Sequence, residues 1–182
     1  MKRLLLSLTL MVAVLGAQAQ VYIGGSLGLD VVSTHVDGSE TTTRQTTFGV
    51  MPEIGGRINK TWSAGVTMGY GISKQDGIKL ETYRFTPYVR AVFARAGIVD
   101  FFGELTAGYV HMFLDDEDSL FKDDDGLSGM LAALRPGMAI NFSRRFALVA
   151  RTNLLQYEYW DGLRVTNFSL NKGFDVGVQV TF

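Results

Sequence analysis

From about residue 20 to the C-terminus the chain alternates apolar and polar positions, which is the period of a β-strand with two unlike faces. The last nine residues show it without a break: Phe174, Val176, Val178, Val180 and Phe182 share one face, and Asp175, Gly177, Gln179 and Thr181 the other. Eight such segments are predicted, at about 21–32, 47–58, 62–73, 82–93, 101–113, 127–142, 145–156 and 167–182. In the third, Trp62, Ala64, Val66, Met68, Tyr70 and Ile72 oppose Ser63, Gly65, Thr67, Gly69, Gly71 and Ser73. Connections around 59–61, 94–100 and 143–144 are short, whereas those around 33–46, 74–81, 115–126 and 157–166 are mostly longer and more polar. Three prolines, Pro52, Pro87 and Pro136, fall inside predicted strands, where each removes a ladder donor, so bulges are expected there.

The first nineteen residues do not share the pattern. A basic start, Met1-Lys2-Arg3, precedes an apolar run to Gly16 and the A-x-A sequence Ala17-Gln18-Ala19. This reads as a secretory signal peptide cleaved after Ala19, leaving one domain over 20–182. The run is too short to cross a hydrocarbon core of ~30 Å as a helix.

Composition narrows the chemistry. A net charge of −1 argues against nucleic-acid binding. Zero cysteines exclude disulfides, thiol catalysis, Cys-based zinc sites and a lipoprotein anchor, and two histidines, His35 and His111, cannot build a multi-histidine metal site. No cofactor is expected. Alternation alone also fits a soluble lipocalin-like barrel with its apolar face inward. Lysine placement favours the membrane: Lys60, Lys74, Lys79, Lys122 and Lys172 all lie in turns, loops or near strand ends. Aromatics near strand ends (Tyr22, Trp62, Tyr83, Phe93, Phe101, Phe113, Phe142, Phe146 and Phe182) fit girdles at two lipid–water interfaces. The fold class is therefore all-β, an eight-stranded antiparallel up-and-down transmembrane barrel, with both termini on the short-turn side.

Eight strands enclose a lumen that side chains just fill. Counting from each short turn places Glu53, Arg90, Glu104, Arg135, Arg151 and Asp175 inward at similar height, a charge-balanced layer with Arg90 and Glu104 as a cross-strand pair. Such charges must be paired in a water-poor lumen, so a structural plug of salt bridges is expected, with a gated narrow pore as the alternative.

Two other sites are weighed. The run from Asp115 to Gly126 offers Asp115, Asp116, Asp118, Asp123 and Asp125 as oxygen ligands for Ca²⁺, but it lacks the EF-hand spacing, and a solvated loop is the expected outcome. His111 with Ser119 and Glu117 are the only candidates for hydrolase chemistry, and no His-x-Ser pairing lies on a strand.

Taken together, Ala17-Gln18-Ala19, the eight alternating segments, the inward Arg/Glu set and the terminal strand resemble the small outer-membrane barrels, the OmpA-like and OmpX-like porin-family proteins. The resemblance implies a bacterial outer membrane, outer-membrane lipids and lipopolysaccharide around the barrel, and an assembly machinery that reads the strand ending in Phe182. It implies a monomer with a non-enzymatic, structural or surface-interaction role through its external loops, with a small-solute conduit or a lipid A acyl-modifying enzyme as alternatives. No peptidoglycan-binding domain is expected after Phe182.

Overall fold

The structure, a computed structural model, describes residues 20–35, 42–75, 78–115, 126–160 and 165–182. Residues 1–19, read above as a signal peptide, lie outside them. Eight strands follow one another: β1 (Gln20–His35), β2 (Thr42–Arg57), β3 (Trp62–Gln75), β4 (Ile78–Ala96), β5 (Val99–Asp115), β6 (Leu127–Asn141), β7 (Phe146–Trp160) and β8 (Val165–Thr181). Each pairs antiparallel with the next, and β1 closes on β8 from Tyr22↔Thr181 to Leu29↔Phe174. Closure matters because a bilayer offers no water to an unpaired backbone group, so a sheet survives there only without an edge.

The strands outrun the alternation that predicts them. β2 begins at Thr42 rather than near 47, β4 spans 19 residues, and β7 continues to Trp160. The stretch added to β2, Thr42-Thr43-Arg44-Gln45-Thr46, is polar throughout, so the ladder continues there where the apolar signal has stopped. The connection predicted around 94–100 shrinks to Gly97-Ile98, with Gly97 at φ 61°, a left-handed conformation that a side chain would strain. The other two short turns are held by side chains. Asn59 Oδ1 accepts from the backbone N–H of Thr61 and Trp62, both at 2.8 Å. Ser143 Oγ accepts from Phe146 N at 3.0 Å and Arg145 N at 3.2 Å. These are local Asx- and Ser-type turns, which need no partner from the rest of the fold.

The three prolines share one solution. Each keeps its pairing with the preceding strand (Gly25↔Pro52, Val66↔Pro87, Gly103↔Pro136) and sits at a break in the ladder with the following one. Only the break at Pro136 shifts the register; those at Pro52 and Pro87 resume in step, so a bulge is not the device at those two. Near Pro87, threonine hydroxyls take over the carbonyls: Thr86 Oγ1 donates to Thr67 O and Thr106 Oγ1 to Pro87 O, each at 3.3 Å. Bulges occur instead at Phe93 and at Gly173, where φ is 80°.

The barrel is inside-out relative to a soluble one. Among the described residues, seventeen buried side chains are polar or charged against ten that are apolar. Among the same residues thirty large apolar side chains stand exposed, most of them on the outer wall, where Leu27, Met68, Leu105 and Met130 are each more than half exposed. A water-facing wall would not carry a band of that size. The soluble lipocalin-like alternative reverses these faces and is excluded.

Candidate functional site

The lumen is crossed by a cluster of ions built from six strands: Glu53 on β2, Arg90 on β4, Glu104 on β5, Arg135 on β6, Arg151 on β7 and Asp175 on β8. Register accounts for the meeting. Arg90 pairs directly with Glu104, Glu104 with Arg135, and Arg151 with Asp175, so inward parity places neighbouring charges at one height. Glu104 is the hub, with a side chain fully buried: it accepts from Arg90 Nη2 at 2.8 Å and Nε at 3.1 Å, and lies 3.4 Å from Arg151 Nη1 and 3.5 Å from Arg135 Nη1. Glu53 takes Arg151 Nη1 at 2.7 Å and stands 3.7 Å from Arg90. Asp175 forms an ion pair with Arg135.

Neutral groups complete the shell. Arg151 Nη2 donates to Ser26 Oγ at 2.9 Å, and Arg90 Nη1 to Gln179 Oε1 at 3.3 Å. The Arg90 guanidinium also lies 4.4 Å from the Phe102 ring centre and 5.3 Å from that of Tyr88, a cation–π arrangement. Small apolar clusters flank the layer. Phe102, Ala139 and Val149 lie on the short-turn side, and Val110, Leu131 and Trp160 toward the long loops. Between them the charges face one another rather than water, and each depends on its partners to offset its desolvation.

Beside the layer, Tyr22 and Tyr88 meet hydroxyl to hydroxyl at 2.7 Å. Tyr22 is fully buried, which corrects its expected place in an interfacial girdle: it has the parity of Ser26, and both point inward. Glycines make the room. A Cβ on Gly55 would stand 2.5 Å from the Tyr22 ring, and one on Gly65 2.6 Å from the Tyr88 oxygen. A vestibule of about 650 Å³ opens at the short-turn end, with Arg90, Phe102 and Gln179 among the residues that line it.

Of the remaining candidates, Asp116, Asp118, Asp123 and Asp125, together with the Asp115 side chain, lie outside the described residues. Glu117 and Ser119 of the hydrolase candidates lie there too. No group of three metal-ligating side chains occurs among the described residues.

His111 sits near the long-loop end facing outward, and its partner is one the alternation does not announce. Its Nδ1 lies 2.9 Å from Ser128 Oγ across the β5–β6 register. That hydroxyl is shared with Tyr109 Oη at 2.6 Å, and His111 packs edge-on against Phe113 at 4.3 Å between ring centres. A working nucleophile needs its base oriented by a third group. Among the described residues no carboxylate is hydrogen-bonded to His111.

Three further residues escape sequence counting: Arg84, which enters the lumen above the layer, and Ser26 and Gln179, which cap two of its arginines. The inward parity of each is readable, but its partner depends on closure of the ring.

Among functionally curated proteins no match is found. Solved structures of low identity share the architecture. Neisserial surface protein A is 16% identical with a TM-score of 0.62, over 91% of this chain and 99% of its own. OprG from Pseudomonas aeruginosa is 12% identical at 0.55, over 92% and 98%. OprH from P. aeruginosa is 16% identical at 0.54, over 90% and 100%. The family model for the outer membrane protein beta-barrel domain matches residues 4–182, and with the closed eight-stranded ring, the apolar outer wall and the ion-filled lumen already described, the chain belongs to that family.

Proposed function

We propose that this chain is a closed, non-enzymatic outer-membrane barrel that holds its longer loops at the cell surface for contact with partners. The observation that carries this reading is the buried ion cluster. Six charged side chains from six strands meet across the lumen with side-chain exposures of 10% or less. A solute path through the barrel would have to separate them, at a cost of several kcal/mol for each charge left alone. That speaks against a small-solute conduit. That Ser128 Oγ is shared between His111 and Tyr109 speaks against an acyl-modifying enzyme.

The rest of the proposal follows from the layout. Residues 1–19 direct export and are removed, the short turns 58–61, 97–98 and 142–145 face the periplasm, and the opposite strand ends, such as Gln75 and Trp160, face outward. Lipids and lipopolysaccharide surround the apolar wall, and the assembly machinery reads the strand that ends in Phe182. A closed ring leaves no strand edge to pair with another copy, which favours a monomer. The name of Neisserial surface protein A fits the same kind of role.

Loop replacement tests the reading. With 36–41 or 116–125 exchanged for short Gly/Ser turns, the folded barrel is expected to remain in the membrane while cell-surface binding or adhesion is lost. Surface binding indifferent to every loop, yet lost on changing lumenal residues, would refute it.

A further inference from the structure

The ion layer divides the charges of this chain unevenly. Of its eighteen acidic residues three belong to the layer, fourteen fall in the strand parts and connections of the long-loop half, and Asp100 alone falls at the short-turn end. Five cationic residues share that end: Arg57, Lys60, Arg95, Arg144 and Arg145. Residues 1–19 hold no acid, so the cationic surplus stands with or without them.

The vestibule gathers part of that surplus. Arg57, Lys60, Arg90 and Arg95 line it, with Asp100 as the one acid among the lining residues. Arg90 is matched by Glu104, and Arg95 Nε lies 3.2 Å from Asp100 Oδ1. Arg57 and Lys60 have no ion-pair partner among the described residues, so the lining keeps two unmatched positive charges. Both are positioned by the fold. Register sets Arg57 beside Ser63 and Ser63 beside Arg90, one inward row across β2, β3 and β4 whose outer members stand two strand spacings, roughly 10 Å, apart. The turn that carries Lys60 is fixed by Asn59 Oδ1, which accepts from Thr61 and Trp62, and by Arg95 Nη2, which donates to Lys60 O.

Size and lining narrow the ligand. About 650 Å³ is the volume of a site for a small organic molecule. Val92, Phe102 and Ala139 add apolar surface that a bare inorganic ion would not use. A cleft lined by one sign of charge concentrates its counter-ions, and guanidinium and ammonium groups recognise carboxylate and phosphate. We propose that the vestibule binds one small organic anion carrying two or more carboxylate or phosphate groups, held by Arg57 and Lys60. The ion layer closes the lumen beyond it, so the ligand enters and leaves by the short-turn mouth. The site needs only the geometry of this end; that its ligand is periplasmic rests on the orientation proposed above.

The test is calorimetric titration of the mature chain folded in non-ionic detergent, with trimesate as the carboxylate probe, phytate as the phosphate probe and acetate as a singly charged control. One trimesate or phytate per barrel is expected to bind, the better probe naming the preferred group, while acetate gives no heat. Arg57→Gln with Lys60→Gln is expected to weaken that binding by about tenfold or more, since each loses a charge-assisted contact. Arg144→Gln with Arg145→Gln removes the same charge from the same end outside the vestibule and is expected to change it by less than about twofold, as for charges that act only at long range. Folding of each variant is read from its mobility on unheated gels. No binding of either probe, or equal weakening by the two pairs of changes, would overturn the proposal. Orientation is tested apart from the site: Lys60→Cys should react with an impermeant maleimide only after the outer membrane is permeabilised. Reaction in intact cells would refute the orientation, while the micelle titration still decides the site.

Discussion

Replacing Glu104 by Gln perturbs the lumen with almost no change of shape. The side chain is fully buried and touches all three arginines of the layer. Glutamine keeps one acceptor oxygen but loses the charge, leaving three buried guanidiniums against Glu53 and Asp175. A hydrogen bond to a charged group contributes ~1.5–3 kcal/mol. Removing one partner of a buried ion pair costs ~3–5 kcal/mol, because the charge left behind stays desolvated. Since the new amide still accepts one bond, a loss of about 3 kcal/mol, the low end of that range, is expected from urea titration of the refolded barrel. Adding Arg90→Gln to that variant restores charge balance, so its cost there should be smaller than in the parent by roughly 1–3 kcal/mol, the range of coupling for residues in contact. A cost below about 1 kcal/mol for Glu104→Gln, or additivity of the two changes, would refute the view that the layer is a mutually dependent unit.

Other expectations can be checked with the same folding assay. Leu105, the outward neighbour of Glu104, is 62% exposed on the outer wall. Leu105→Arg should therefore cost ~2–4 kcal/mol in a bilayer, whereas a tolerated arginine there would deny that this height meets hydrocarbon. Gly65→Ala forces a Cβ to 2.5 Å from the Ile54 carbonyl oxygen and 2.6 Å from Tyr88 Oη and should destabilise by ~1–3 kcal/mol. Pairing it with Tyr88→Ala leaves the contact with the Ile54 carbonyl and should recover only part of that loss; full recovery would argue against that backbone contact. Ser128→Ala should leave lipid A mass unchanged in cells expressing the protein, and a fluorophosphonate should not label the parent; labelling confined to Ser128 would revive the hydrolase reading.

Much of this barrel is legible in the sequence because its two faces meet different media. Phe174, Val176, Val178, Val180 and Phe182 are all exposed to the outside, while Asp175, Gln179 and Thr181 are buried within. The heights of the lumenal charges are also readable, since tight turns such as Gly97-Ile98 give a fixed origin for counting. Legibility fails where position depends on the closed ring. Tyr22 carries an aromatic label that suits a girdle, and its lumenal place follows from its inward parity together with the space left by Gly55. Ser128 finds His111 through the β5–β6 register, at a distance of 17 residues along the chain. Strand ends such as Thr42 lie beyond the apolar alternation, where the backbone ladder continues through polar residues, and Trp160 is held by a cluster with Val110 and Leu131 that depends on closure of the ring. The proline positions are plain from the sequence, but the side on which each ladder breaks is set by which neighbour its missing N–H would have faced.

The central claim is that a buried layer of paired charges closes the lumen. Planar bilayer recording of the purified, folded protein tests it most directly. Quiet membranes are expected, with no steady conductance after insertion is verified. A steady, large conductance in most insertions would contradict it.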